Sequence, residues 1–288
     1  MLNDANRFNI SECPTFPRAF HFPGASHFRV HLISALHPVE CVRVSMRLPL
    51  AVLTLLTVVC WSWIVAMARD MYGPMTGASA WMMTPTWDVP HLLLLWAMWA
   101  VMMTAMMLPT ALPLVRLVGR AAPQQTARSA AGEAYALASG YMTVWVVFSV
   151  GATALQWTLG RLFIITPMME ASTRQISGGF LLLAGLYQWT PLKQACLATC
   201  QSPLDFIVRR WRSGASAAFR LGAAHGTYCV GCCWALMLLL FAAGVMNLWA
   251  IVLLTLFVGF EKLVPLGVWS ARTSGALLVA CGAALALK

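Results

Sequence analysis

The chain reads as an all-α protein, a polytopic transmembrane helical bundle of about seven spans, and three observations carry that reading. Hydrophobic residues make up 60% of the chain and charged residues 10%, with a mean hydropathy of +0.74; a soluble domain carries roughly 25% charged residues. Too few charges remain to coat a water-facing surface. The apolar residues fall in long runs, and a bilayer core about 30 Å thick takes roughly 20 residues of helix. In lipid only helices and closed barrels satisfy every backbone N–H and C=O, and these runs lack the period-two alternation of a barrel strand. Finally, most Lys and Arg lie in or beside the breaks between the runs, which sets the orientation.

Residues 1–45 precede the first run. They contain Pro14, Pro17, Pro23 and Pro38 and four histidines, His21, His27, His31 and His37, with no sustained periodicity. The expectation is a disordered tail, with Met46-Arg47 before the first apolar run resembling a natural start of translation. Irregular spacing argues against a metal-binding tail. From residue 46 to 288 the chain forms one transmembrane domain. Its first span, 48–68, has a basic flank and no convincing small-residue cleavage site, so it resembles a signal anchor.

Further spans are expected at 91–115, 134–157, 176–195, 216–243, 246–266 and 273–287. Positive residues are retained on the cytoplasmic side of a bacterial inner membrane. With the N-terminus inside, Arg7, Arg18, Arg29, Arg43, Arg47, Arg116, Arg120, Arg128, Lys193, Arg209, Arg210, Arg212, Arg220, Lys262 and Arg272 fall inside, and only Arg69, Arg161, Arg174 and Lys288 outside. The net charge of +10 is thus spread through short loops. Nucleic-acid binding needs it gathered on one water-facing patch, so no nucleic-acid partner is expected.

The fifth span carries the densest chemistry, His225-Gly-Thr-Tyr-Cys229-Val-Gly-Cys232-Cys233-Trp. Residues three and four apart share a helical face, so His225, Cys229 and either Cys232 or Cys233 point the same way. An imidazole and two thiols in one stripe suit a soft or borderline ion, Cu(I) or Zn(II). A lone cysteine in a Gly-rich helix is usually a small buried hydrophobe; three cysteines and a histidine in nine positions are not a lone cysteine.

A second pair, Cys196 and Cys200, follows Pro191 at the end of the fourth span, with both sulfurs on one face if the helix continues past that proline. The fourth span runs inward and the fifth returns, so both groups are expected at one depth, near the cytoplasmic boundary. Taken alone, the pair is as compatible with a structural role or a disulfide as with metal ligation, and its agreement in depth with the first group favours the metal. Glu261-Lys262 closes the sixth span at that same level. An acid in a membrane segment needs a partner; Glu261 is either an interfacial residue in water or a group that holds His225 or ligates from outside.

Methionine is the third signal. Met71, Met75, Met82 and Met83 occupy an outward loop with Trp81 and Trp87, and Met98, Met102 and Met106 repeat at i, i+4 and i+8 along the second span, flanked by Met103 and Met107. Thioethers select Cu(I) and survive where thiols oxidise. A methionine stripe is more commonly adaptable packing, so Met102 and Met106 are candidates through their continuity with the outer group.

These blocks together resemble a bacterial family of predicted metal-binding integral membrane proteins, domain of unknown function 2182. The matching segments are Ala105-Met106-Met107-Leu108-Pro109, Gly140-Tyr141 with Trp145, Tyr187 to Cys200 followed by Ser202-Pro203, His225 to Met237, and Glu261-Lys262. They run through nearly all of the chain after Met46. The resemblance implies copper delivery to a secreted or membrane copper oxidase as the client.

The residues and the resemblance lead to an inner-membrane protein, not an enzyme, that handles Cu(I) as transporter or membrane chaperone, with zinc as the alternative ion. The candidate metal residues are Cys196, Cys200, His225, Cys229, Cys232, Cys233, Glu261, Met102 and Met106. Neither a Gly-rich Lys-Ser/Thr loop nor a domain large enough to drive a pump is present in the sequence. The competing readings are a membrane thiol–disulfide oxidoreductase cycling Cys196/Cys200 and Cys232/Cys233, and a non-catalytic membrane partner whose sulfur ligands stabilise its bundle.

Overall fold

Long apolar runs interrupted by proline, glycine and charge give an arrangement of helices, and the structure, a computed structural model, describes residues 46–76, 78–83, 87–121, 127–264 and 268–287. The expectations for residues 1–45 lie outside the described residues. In chain order the helices are α1 (Arg47–Met71), α2 (Ala78–Met82), α3 (Val89–Ala121), α4 (Ala127–Arg161), α5 (Arg174–Gln188), α6 (Pro191–Gln201), α7 (Pro203–Arg210), α8 (Ala215–Met237), α9 (Leu239–Ala243), α10 (Leu248–Leu263) and α11 (Val268–Ala286). Among the described residues the extended structure is a single isolated bridge between Ile165 and Ala171. The all-helical expectation holds.

The number of spans does not hold as expected. Four segments are long and apolar enough to cross a membrane, Arg47–Met71, Val89–Val118, Ala130–Arg161 and Ala215–Ala243, where the sequence reading had about seven. The shortfall has a local cause in each remaining helix. α5 has 15 residues and α10 has 16, about 22–24 Å at 1.5 Å per residue, which is short of the ~30 Å hydrocarbon thickness. α11 opens on Ser270, Arg272, Thr273 and Ser274, which dilute its apolar run.

The expected fourth span, 176–195, is divided. α5 stops at Trp189, Thr190 takes extended backbone angles, and Pro191 opens α6, where its missing N–H costs nothing. The Thr190 hydroxyl caps α6 by accepting from the Lys193 N–H at 3.3 Å. Cys196 and Cys200 therefore stand on a separate short helix that sets its own angle against α8.

Three close approaches hold the long helices. At the α4–α8 crossing a Cβ on Gly222 would overlap the Leu137 carbonyl, and one on Gly140 the Phe219 carbonyl. Small residues at both positions let the backbones touch. α5 and α11 cross in the same way through Gly178 with Gly282 and Gly185 with Gly275. α3 keeps Pro109 and Pro113 inside the helix. Pro109 has no N–H to give the Ala105 carbonyl, and the Trp61 indole of α1 donates to that oxygen instead at 3.1 Å.

Large apolar side chains lie on the outside and several polar ones within. Leu55, Val147, Leu253, Leu256, Trp249 and Leu277 are all exposed, while Glu133, Gln156, Gln188, Lys193, Glu261 and Lys262 are buried. The core is a continuous apolar cluster that includes Met71, Met82, Met98, Met102, Met103, Met106 and Met107 at one extreme of composition and Cys196, Cys200, Cys229, Cys232 and Cys233 at the other.

Candidate metal centre

Cysteine spacing on α8 gives the thiols different nearest neighbours, although Cys200, Cys229, Cys232 and Cys233 are all close enough to interact. Cys229 and Cys233 are one turn apart, and both meet the ammonium of Lys262 from α10: Nζ lies 2.7 Å from Cys229 Sγ and 3.9 Å from Cys233 Sγ. Met107 Sδ of α3 reaches the same nitrogen at 3.6 Å. The Tyr141 hydroxyl of α4 lies 2.9 Å from Cys229 Sγ and 3.2 Å from the Met107 carbonyl, to which it donates. Four helices thus supply three sulfurs, a hydroxyl and a cation to one spot. Cys229, Cys233, Met107 and Tyr141 are at most 1% exposed there.

The other face of α8 meets α6. Cys232 Sγ lies 4.0 Å from Cys200 Sγ. Gly231 makes this approach possible, because a Cβ there would stand 2.7 Å from Cys196 Sγ. The Tyr187 hydroxyl donates to the Gly231 carbonyl and ties α5 to the same turn. Cys232 and Cys233 also donate back to the Cys229 carbonyl at 3.1 and 2.9 Å, which fixes both sulfurs close to the helix wall. All seven described cysteines are free thiols.

His225, grouped with these thiols by spacing, is buried one turn earlier. Its ring packs 5.4 Å from Phe206 and 5.9 Å from Tyr141, centroid to centroid. Its Nδ1 has no hydrogen-bond partner among the described residues. Arg210 of α7 lies over the outer side of Phe206 at 5.1 Å and donates to the Tyr228 hydroxyl at 3.1 Å, so α7 covers the imidazole.

Glu261 does not hold His225, and it is not an interfacial residue in water. Its Oε2 forms a 2.7 Å ion pair with Lys193 of α6, and Glu261, Lys193 and Lys262 are all buried. The Gln201 amide donates to the Glu261 backbone carbonyl at 2.8 Å. Neighbouring residues on a helix point about 100° apart, so Glu261 faces α6 while Lys262 faces the sulfurs.

The methionine at the sulfur group is Met107. Met102 and Met106 lie fully buried further along α3, within the core that also contains Met98, Met71 and Met82. Met75 of the outer loop is exposed. Along the helices the group lies away from the ends of the two long ones. Cys229 is about 21 Å from the start of the 23-residue α8, and Met107 lies near the middle of the 33-residue α3. The shorter α10 ends beside them.

Among the described residues no three His, Cys, Asp or Glu side chains are already arranged around one metal position. The sulfurs in contact with the Lys262 ammonium are two thiols and a thioether. Sequence reasoning placed Lys262 in the block but not in the site, and it left Tyr141 and Met107 outside the ligand set. The signal for Lys262 was its position at the end of an apolar run, where a charge demands a partner.

A family model described as PpoB2, copper chaperone, matches residues 96–285, from within α3 to the last turn of α11. The chain belongs to this copper-chaperone family. No curated protein and no solved structure matches it. Membership points to a copper-related function and to a copper-dependent partner, consistent with the copper link that the sequence resemblance implied. Every helix that supplies a side chain to the sulfur group falls within the matched residues at the position concerned.

Proposed function

We propose that this chain is a membrane-embedded copper chaperone that holds Cu(I) on Cys229, Cys233 and Met107. The observation that carries the reading is the convergence of three sulfurs from two helices on one cation, Lys262 Nζ. Two thiolates and a thioether are a soft donor set, matched to Cu(I) over harder ions. Zinc, which prefers four tetrahedral ligands, would need a further group.

The membrane assignment rests on the four long apolar segments and on the outward apolar side chains. In this reading α5 with α6, α10 and α11 fill the same layer as partial or weaker crossings, so the polytopic bundle approaches seven hydrophobic segments without seven independent spans. The bacterial inner membrane with the N-terminus inside follows from the Arg and Lys count. Helices that end inside a bundle beside a polar group recur where membrane proteins bind ions.

Transfer proceeds by ligand exchange. Cys200, Cys232 and Cys196 lie on the neighbouring face and offer thiols for a second stage, and the buried methionines of α3 lead toward the outer loop. Thioethers hold Cu(I) less firmly than thiolates, so a row of them lets the ion move where one tight site would trap it. When Cu(I) binds a protonated thiol, a Cu–S bond forms and the proton leaves. A copper-dependent oxidase is the expected acceptor.

A second reading, a thiol–disulfide oxidoreductase, draws on the 4.0 Å separation of Cys200 and Cys232. One preparation separates the two. Protein purified in detergent from copper-fed cells is expected to carry copper, and the Cys229→Ser variant to lose most of it. Equal metal content in both variants overturns the site. Redox-dependent thiol labelling without metal favours the oxidoreductase.

A further inference from the structure

The most unusual feature of the sulfur group is the charge inside it. A buried ammonium is costly unless it is well paired, and the natural partner, a carboxylate, sits on the adjacent residue. Yet Glu261 is engaged by Lys193. Its second oxygen, Oε1, is buried with no hydrogen-bond partner among the described residues. Lys262 takes its contacts instead from Cys229, Cys233 and Met107. Those are the atoms that the metal reading assigns to Cu(I).

We infer that Lys262 is a place-holding cation: its ammonium stands where Cu(I) binds, and the ion enters only as the ammonium leaves. The inference rests on the copper reading of the site and adds to it a determinant of affinity and release. Geometry requires the exchange. At 2.7 Å from Cys229 Sγ, the nitrogen fills the space that a metal bonded to that sulfur, at about 2.3 Å for a thiolate on a comparable ion, would occupy. Two cations cannot share that space. The ammonium therefore competes with the metal, and its return helps to expel it. A chaperone needs such reversibility, because a pure sulfur cage would retain Cu(I) against its client. In the exchange the Nζ–H contacts to sulfur break as the ammonium moves aside still protonated, Cu–S bonds form, and either of the two thiols that is protonated beforehand releases its proton to solvent.

The test compares Cu(I) affinity and release in detergent-purified full-length protein, by competition with a Cu(I)-specific chelator of known affinity. Lys262→Met and Lys262→Gln, which remove the charge, are expected to bind at least about tenfold more tightly, a gain of about 1.4 kcal/mol, and to surrender copper to excess chelator correspondingly more slowly. Lys262→Arg retains a cation and is expected to stay nearer the wild type. Unchanged or weaker binding in the neutral variants overturns the inference, since a lysine that only supports the Cys229 thiolate would weaken binding when removed.

The wild-type protein gives an answer that needs no variant to fold. The sequence has three lysines, Lys193, Lys262 and Lys288, so the side-chain nitrogen resonances of ¹⁵N-lysine-labelled protein are few. One equivalent of Cu(I) is expected to shift the Lys262 signal and to leave that of Lys193 in place. A Lys262 signal that does not move contradicts the exchange. The Cys229→Ser/Cys233→Ser variant separates the two levels of the account. If it binds copper as well as the wild type, the site reading itself fails; if it loses binding while Lys262→Met gains nothing, only the place-holder fails.

Discussion

The two faces of α8 carry the same element in different company. Toward α3, α4 and α10, Cys229 and Cys233 meet a thioether, a phenol and an ammonium within hydrogen-bond reach of one another. Toward α6, Cys232 meets Cys200 across 4.0 Å, and Cys196 rests against Gly231; Cys200 and Cys232 also reach Cys229, and Lys262 acts on Cys232 as well as on Cys229 and Cys233. A buried thiolate needs charge compensation, and the sulfur closest to the Lys262 ammonium is Cys229, at 2.7 Å, with Cys233 at 3.9 Å. The difference teaches which face is suited to hold an ion and which to pass one on.

That contrast can be broken by substitution. The largest effect is expected from Cys229→Ser, which removes the sulfur bonded to both Lys262 and Tyr141. Cu(I) affinity should fall about 100-fold, or roughly 2.8 kcal/mol, in a chelator competition. Met107→Leu preserves the volume of the α3 side chain but deletes its donor, and a loss of about tenfold is expected in the same assay. An unaltered affinity in Met107→Leu would remove the thioether from the site and leave a two-thiol centre.

On the other face, Cys200→Ser should change equilibrium affinity by less than about threefold, below 0.7 kcal/mol. Its effect should appear in the rate at which bound Cu(I) passes to an acceptor, measured by stopped-flow mixing with chelator. A loss as large as that of Cys229→Ser would mean that both faces form one centre. Gly231→Ala gives the smallest perturbation. Its added methyl presses only on Cys196 Sγ, so transfer should slow by a small factor while affinity stays within about twofold, 0.4 kcal/mol.

The sequence disclosed these two faces unevenly. Hydropathy made the helices legible, and the long ones, Arg47–Met71, Val89–Ala121, Ala127–Arg161 and Ala215–Met237, fall where the apolar runs fall. The break at Pro191 was flagged by its own chemistry, but whether α6 continued α5 depended on tertiary packing that no local rule decides. The cysteine spacing put Cys229 on one face with either Cys232 or Cys233 and left that choice open. It could not say that Cys232, one position away, belongs with Cys200 on another helix, because that pairing depends on Gly231 admitting Cys196.

Glu261 and Lys262 were visible as a pair of charges at the end of an apolar run. Their partners were not, since each lies on a helix distant in sequence, Lys193 with Glu261 and Cys229 with Lys262. The regular period of Met98, Met102 and Met106 drew attention to one stripe of α3, whereas the methionine in contact with Lys262 is Met107, on the flank of that stripe. Periodicity identifies a face; only the neighbouring helices decide which face meets the site.

The central claim, that α8 holds Cu(I) by sulfur beside Lys262, is tested most directly by X-ray absorption at the copper edge on protein loaded with one equivalent of Cu(I). The account predicts sulfur neighbours alone in the wild type and their loss in the Cys229→Ser/Cys233→Ser variant. A spectrum dominated by nitrogen or oxygen neighbours, or one identical in the two proteins, would contradict it.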